Sequence, residues 1–456
     1  MKRWNLSRGA LNVCIAATLL AACGGSYPPF GGAPGAVPHA SAIAVASLAH
    51  RAVGSYKVLH RFAGQSAGDG DYPVALLTDV NGTLFGTTYA GGSGSECDVG
   101  CGTVFSIGAS GSEKVLYSFT GGSDGSHPRS GLIDVNGTLY GTTYNGGGGA
   151  CGGCGTVFSI STTGSEKAIY SFNGGSGGGY PTSGLIDVKG KLYGTTLFGG
   201  DLNCNGTQPG CGTVYSITTT GSEHVLHKFA GGSDGELPFA GLTDVKGTLY
   251  GTTAFGGSGG CSEPCGTVYR ITTAGAEKVL YSFGAAGGGS FPHAGLLDVN
   301  GVLYGTTPYG GGVSGCGGGS GYAEGCGVVY SVSTAGKLTA LHRFAGKPDG
   351  AGPNILVLAT DGSLYGTTFG GGTGHGSGTI YNITASGDEE VAHTFARPAG
   401  GKHPLGLIAI NNTLYGTTAG GNVYRCGSDR TGCGTVFAFT LHRQPPRTGR
   451  CARRPA

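Results

Sequence analysis

Residues 130–144 read SGLIDVNGTLYGTTY, and the way this stretch recurs settles the architecture. Two short β-type runs, Ser130 to Val135 and Thr138 to Tyr144, flank the dipeptide Asn136-Gly137. Asn-Gly between two such runs is the strongest short-range signal for a β-hairpin, because both turn residues must take positive φ. The second run carries the pentapeptide LYGTT, which starts at Leu139, Leu192, Leu249, Leu303, Leu364 and Leu414, with LFGTT at Leu84. These seven copies stand 50 to 61 residues apart. A period near fifty points to propeller blades rather than to solenoid coils, which repeat at roughly 20 to 47 residues.

Each unit divides into four β-type runs. In the second unit the hairpin is followed by a glycine-cysteine loop, then GTVFSIS (Gly155 to Ser161), a Thr-Thr-Gly turn and EKAIYSF (Glu166 to Phe172). Four antiparallel strands make one blade. The array opens with YKVLHRF (Tyr56 to Phe62), a fourth strand without its first three, and closes with GTVFAFT (Gly434 to Thr440), a third strand without its fourth. The expected fold is therefore an all-β, seven-bladed β-propeller in which the N-terminal strand completes the last blade. Such closure leaves no open edge for aggregation.

The recurring pattern G-x-LYGTT-x-x-GG, then GTVF-x-I, then LYSF resembles the GloVer (Gloeo-Verruco) tandem repeat family of extracytoplasmic bacterial proteins. The resemblance runs from Tyr56 to Arg443 and implies location and architecture; it carries no known activity. Blade six departs most, lacking the loop cysteines, and Ala359 and Ala409 stand where other blades have Asp79, Asp134, Asp187, Asp244 and Asp298.

Composition excludes several alternatives. Glycine, at 99 of 456 residues, is about three times its usual share of roughly 7% and argues against a helical protein. Yet 22 Tyr and 18 Phe are too many for a disordered low-complexity chain. A net charge of +2 makes no electrostatic case for nucleic acid.

Four regions are expected. Residues 1–22 form a signal peptide, with Lys2, Arg3 and Arg8 ahead of a short apolar core, ending in Leu20-Ala21-Ala22-Cys23-Gly24. That ending resembles the bacterial lipobox, whose cysteine is acylated, so Cys23 would anchor the mature chain without a transmembrane helix. Gly24 in the next position leans towards the outer membrane. Residues 23–54 read as a Pro/Gly/Ala-rich linker, 55–443 as the propeller, and 444–456 as a basic tail holding a leftover Cys451.

The other cysteines pair by position between the second and third strands: Cys97 with Cys101, Cys151 with Cys154, Cys204 with Cys211, Cys261 with Cys265, Cys316 with Cys326, and Cys426 with Cys433. Blade six lacks both members, with Ser377 in place of the second. Joint loss is what disulfides predict in an oxidising compartment. The variable spacings fit no four-ligand zinc site, and the chain suggests no cofactor.

Repetition sorts the remaining residues: whatever recurs in every blade serves the blade, and a single site must use positions that differ. LYGTT is therefore read as inter-sheet packing and hydrogen bonding. The fourth-strand residues His60, His227, His342 and His393 alternate with Tyr117, Tyr170 and Tyr281, and read as outer-strand aromatics rather than ligands. Ahead of each first strand a loop proline follows a glycine by three residues. The position before that glycine is Asp69, Asp124, Asp234 or Asp349 in four blades and glycine in three, an exchange read as a demand for positive φ. Asp69-Gly70-Asp71 is the best residual candidate for calcium.

The residue after each proline differs in every blade, and the residue before it also varies. Tyr72, His127, Tyr180, Phe291 and His403 precede a proline, and Arg129, Phe239, His293 and Asn354 follow one. They are expected to ring the channel mouth as stacking faces and polar contacts, on the same face as the cysteine loops. The leading reading is a monomeric surface binding module for a glycan or envelope protein. The alternatives are a polysaccharide lyase or hydrolase, or a purely structural envelope component. No GxSxG elbow or other catalytic signature is present.

Overall fold

The computed structural model describes residues 53–442 apart from 205–208, 260–264, 285–287, 314–315, 317–324, 374–375, 397–399, 422–425 and 427–431. Signal peptide, Cys23, most of the linker, Cys261, Cys451 and the basic tail lie outside the described residues.

Each repeat becomes one antiparallel sheet whose strands lie in chain order. Blade one, for example, comprises Thr78–Val80, Thr83–Thr88, Thr103–Ile107 and Glu113–Ser118. Blade seven breaks chain order as expected: Lys402–Ile410, Thr413–Gly420 and Thr435–His442 are joined by Val53–Arg61, with Tyr56 opposite Phe439 and Arg61 opposite Thr435. First strands of successive blades touch one another, which places them innermost in the ring and the fourth strands outermost. Seven blades in a closed ring make a β-propeller.

The LYGTT motif is explained by what surrounds it. Its glycine lies beneath the third-strand aromatic of its own blade: a Cβ on Gly141 would meet Phe158 at 2.7 Å, and one on Gly251 would meet Tyr269 at 2.5 Å. That aromatic in turn receives, edge to face, the phenylalanine ending the fourth strand of the preceding blade. The pairs Phe62–Phe105, Phe119–Phe158, Phe172–Tyr215, Phe229–Tyr269, Phe283–Tyr330, Phe344–Tyr381 and Phe395–Phe437 run round the whole ring at centroid distances of 5.0 to 5.3 Å. Each such pair adds about 0.5–1.5 kcal/mol beyond burial. The core is thus a series of layers between blades rather than one central mass.

The two threonines divide the remaining work. The first reaches the next blade: Thr87 donates to the Ser130 carbonyl (2.8 Å), Thr142 to Ser183 (3.1 Å) and Thr417 to Ala75 (3.3 Å). The second pairs with a third-strand threonine in its own blade, as in Thr88–Thr103 and Thr143–Thr156, both 2.8 Å apart. Blade five has Val328 at the third-strand position, and Thr307 keeps the bond to the carbonyl two residues on, here that of Tyr309, which the second threonine makes in every blade. In five blades an aspartate caps the first hairpin, illustrated by Gly137 N–H donating to Asp134 Oδ1 at 2.9 Å. Asn136 (φ 54°) and Gly137 (φ 82°) both take the expected positive φ.

Candidate functional site

Residues preceding the loop prolines share an unusual backbone. Tyr72, His127, Tyr180, Leu237, Phe291, Gly352 and His403 all lie in the left-handed region, with φ between 55° and 65°. A non-glycine residue pays a steric penalty there. The cause is a hydrogen bond repeated at every blade junction: the amide of each residue donates to the carbonyl of the preceding blade's second loop cysteine. His127 reaches Cys101 (2.7 Å), Tyr180 reaches Cys154 (2.7 Å), and Tyr72 reaches Cys433 (3.0 Å) across the ring closure. In blade six Ser377 supplies the same carbonyl to His403 at 2.8 Å. The glycine after each cysteine leaves room for the next proline ring, since a Cβ on Gly102 would lie 2.7 Å from Pro128. Cysteine loops and proline loops therefore occupy one face and are mechanically joined.

Disulfides hold the cysteine loops. Cys97–Cys101, Cys151–Cys154, Cys204–Cys211, Cys316–Cys326 and Cys426–Cys433 are bridged, with Cα separations of 5.1 to 5.9 Å.

The proposed ring proves only partly open. Phe239 (9% exposed), Phe291 (2%), His293 (3%) and Asn354 (6%) are buried, contrary to the expectation that they face a ligand. In six blades the turn aims the residue after the proline into the wall between blades, Arg129 being the exception, while Phe291, which precedes Pro292, packs between Phe239 and Phe255. Asn354 Nδ2 donates to the Pro404 carbonyl at 2.9 Å, and Thr182 Oγ1 to the Phe239 carbonyl at 3.2 Å. Burial lowers the His293 pKa to about 4, opposed by its hydrogen bond with Asn354.

Tyr72, His127, Arg129, Tyr180 and His403 are half-buried and reach the face. Sequence reasoning missed their neighbours. Tyr89, Tyr144 and Phe369 follow LYGTT directly, and Phe198, Phe255 and Tyr309 stand one residue further on; all six are half-buried. These positions vary between blades as the proline positions do, a signal that could have found them. They interleave with the first set: Tyr89–His127 at 4.7 Å, Tyr144–Tyr180 at 5.3 Å, and Phe369 stacked on His403 at 4.1 Å. Arg129 lies between two of them, its guanidinium carbon 4.2 Å from the Tyr144 centroid and 5.0 Å from that of Tyr89. Among the described residues no carboxylate pairs with it. Burial first, and then the Arg129 charge, lower the His127 pKa to about 4, so His127 is neutral beside Arg129 at neutral pH.

One loop reading is corrected. Asp69, Asp124, Asp234 and Asp349 do not take positive φ. They are retained for their carboxylates, which accept amides of Ala63, Thr120, Ala230 and Ala345 at 2.7 to 2.8 Å. Asp69 gathers with His60 and Glu113, while Asp71 neighbours Cys426 and Cys433, so Asp69-Gly70-Asp71 divides its carboxylates between two surroundings.

The fold and this face define a seven-bladed β-propeller with an aromatic, disulfide-braced surface. The chain belongs to the Gloeobacter/Verrucomicrobia repeat family, whose profile matches residues 47–208 and 152–319. No curated protein matches it. Among solved structures it is similar to an extracellular domain ascribed to a hybrid two-component system of B. thetaiotaomicron (TM-score 0.50, 10% identity, 84% of this chain and 40% of that one). It is also similar to the WD40 propeller domain of Doa1 (TM-score 0.48, 11% identity, 85% and 98%) and to tricorn protease (TM-score 0.36, 14% identity, 62% and 24%). The chain thus spans about a quarter of tricorn protease and two fifths of the two-component protein.

Proposed function

We propose that this propeller is a binding module that holds a carbohydrate against the face formed by its proline and cysteine loops. Arg129, sandwiched between half-exposed Tyr89 and Tyr144 without a carboxylate partner among the described residues, carries this reading. Flat aromatic faces pack against the apolar side of sugar rings, and a guanidinium fixed by two rings offers its donors to hydroxyls at little entropic cost. Tyr72, His127, Tyr180 and His403 extend the platform on either side. The strained backbone adds support: Gly352 performs the same turn, yet six blades place a side chain there.

A glycan array probed with the recombinant propeller tests the proposal. Binding to one class of oligosaccharide, weakened at least tenfold by Arg129→Ala with the melting temperature preserved, is the expected result. Absence of any glycan bound through Arg129 would refute it.

The chain is further proposed to be exported, acylated at Cys23 and tethered through residues 23–54 to the outer membrane. The disulfide-bonded loops support an oxidising location outside the cytoplasm. Cys23→Ser should release the protein from the membrane fraction; continued membrane association would contradict the anchor.

A further inference from the structure

We propose that three junctions between blades are binding sites for a divalent transition ion of the Zn²⁺ class, each built from one histidine and two carboxylates. At the outer rim, His60, His227 and His342 lie on fourth strands. Each faces an aspartate on the loop to the next blade and the first glutamate of that blade's fourth strand. The groups are His60–Asp69–Glu113, His227–Asp234–Glu277 and His342–Asp349–Glu389, and in each the three donor atoms lie within 4.8 Å of one another.

The spacing suits a metal. The Nε2 to Oδ2 distances are 3.3, 3.2 and 3.2 Å, and His60 Nε2 stands 4.0 Å from Glu113 Oε2. Ligand atoms about 2.0–2.2 Å from a tetrahedral zinc are roughly 3.3–3.6 Å apart, so small side-chain adjustments complete the shell. Each aspartate is already held by a backbone amide, from Ala63, Ala230 or Ala345, which orients it as outer partners orient metal ligands.

A second observation points to a missing cation. Glu113 Oε1 and Glu277 Oε1 are buried without a hydrogen-bond partner, the Glu113 side chain is only 10% exposed, and Glu389 lies carboxyl to carboxyl against Asp349. Buried carboxylate oxygens left without a partner are costly, and a bound cation satisfies them. Glu166 and Glu223 have the same orphaned oxygen, but they face Tyr117 and Tyr170, and among the described residues no histidine groups with them and an aspartate as a ligand set. The nitrogen donor therefore distinguishes the three junctions. Where the aspartate is replaced by Gly400, His393 stacks on Tyr56 instead, at 4.3 Å. One nitrogen and two carboxylates are too few donors for calcium, which takes six to eight oxygens, but they suit Zn²⁺ completed by water. One of the three sites ties the N-terminal strand to blade one.

The fold supplies its own control, since tyrosine occupies the histidine position at Tyr117, Tyr170 and Tyr281. Tag-free protein with intact disulfides, stripped with chelator, is titrated with ZnCl₂ by calorimetry, and its melting temperature is followed. The expected result is up to three ions per chain and a raised melting temperature. Each of His60→Tyr, His227→Tyr and His342→Tyr should remove one ion, and the triple variant should lose the thermal response. Should the triple variant fail to fold, Glu113→Gln, Glu277→Gln and Glu389→Gln give the same readout. No zinc uptake at micromolar concentration, undiminished uptake by the variants, or equal affinity for Ca²⁺ would overturn the proposal.

Discussion

Gly141 shows how one position carries an inter-blade interface. A methyl group there meets Phe158 and Leu132 at 2.7 and 2.8 Å, so Gly141→Ala must displace an aromatic ring already clamped by Phe119. The expected cost is about 1–3 kcal/mol, read as a lower urea midpoint with unchanged slope. His293 provides a pH-dependent counterpart. Its folded pKa of about 4 lies below the ordinary 6.5, so the unfolded chain binds the proton first and stability falls as pH drops from 6.5 towards 4. His293→Gln should remove up to about 3 kcal/mol of that loss, measured as the difference in unfolding free energy between pH 7 and pH 4. The varied chemistry at 293 was visible in the sequence, but its burial was not. That depends on the turn which points the residue after Pro292 into the wall.

Among the loops, the cysteine bridges link local order to the candidate face. Cys204 and Cys211 close a short glycine-rich segment, and the Cys211 carbonyl accepts the Leu237 amide at 2.9 Å, holding the next proline loop. Replacing both with serine should lower stability by about 2 kcal/mol, seen by scanning calorimetry as a melting temperature about 2 °C lower. The pairing was legible because blade six loses both cysteines together. The reason blade six tolerates their loss was not: Ser377 still offers its backbone carbonyl to His403, so the inter-blade bond survives without sulfur. The loop aspartates were misread for a related reason. Exchange with glycine suggested a backbone requirement, whereas Asp124 binds the Thr120 amide and accepts from Tyr117 at 2.9 Å.

Closure of the ring governs the behaviour of the propeller as a unit. The strand Val53–Arg61 covers the edge of Thr435–His442 and brings Phe62 against Phe105. Deleting residues 53–61 should expose that edge, abolish a single cooperative thermal transition and produce aggregates on size-exclusion chromatography. A chain that remained monodisperse and melted in one step would show that closure is dispensable.

Seven spaced copies of LYGTT, an orphan fourth strand at one end and an orphan third strand at the other were enough to fix blade number, strand order and closure. They suffice because hairpin chemistry and strand periodicity act over a few residues and repeat. The direction in which the varied residues point is set between blades. Tyr72 finds its carbonyl partner at Cys433 near the opposite end of the propeller, and Arg129 settles between Tyr89 of blade one and Tyr144 of blade two. His60 likewise meets Glu113 of the next blade, 53 residues on. Such contacts join residues far apart in the chain, so they exist only once the seven sheets have packed.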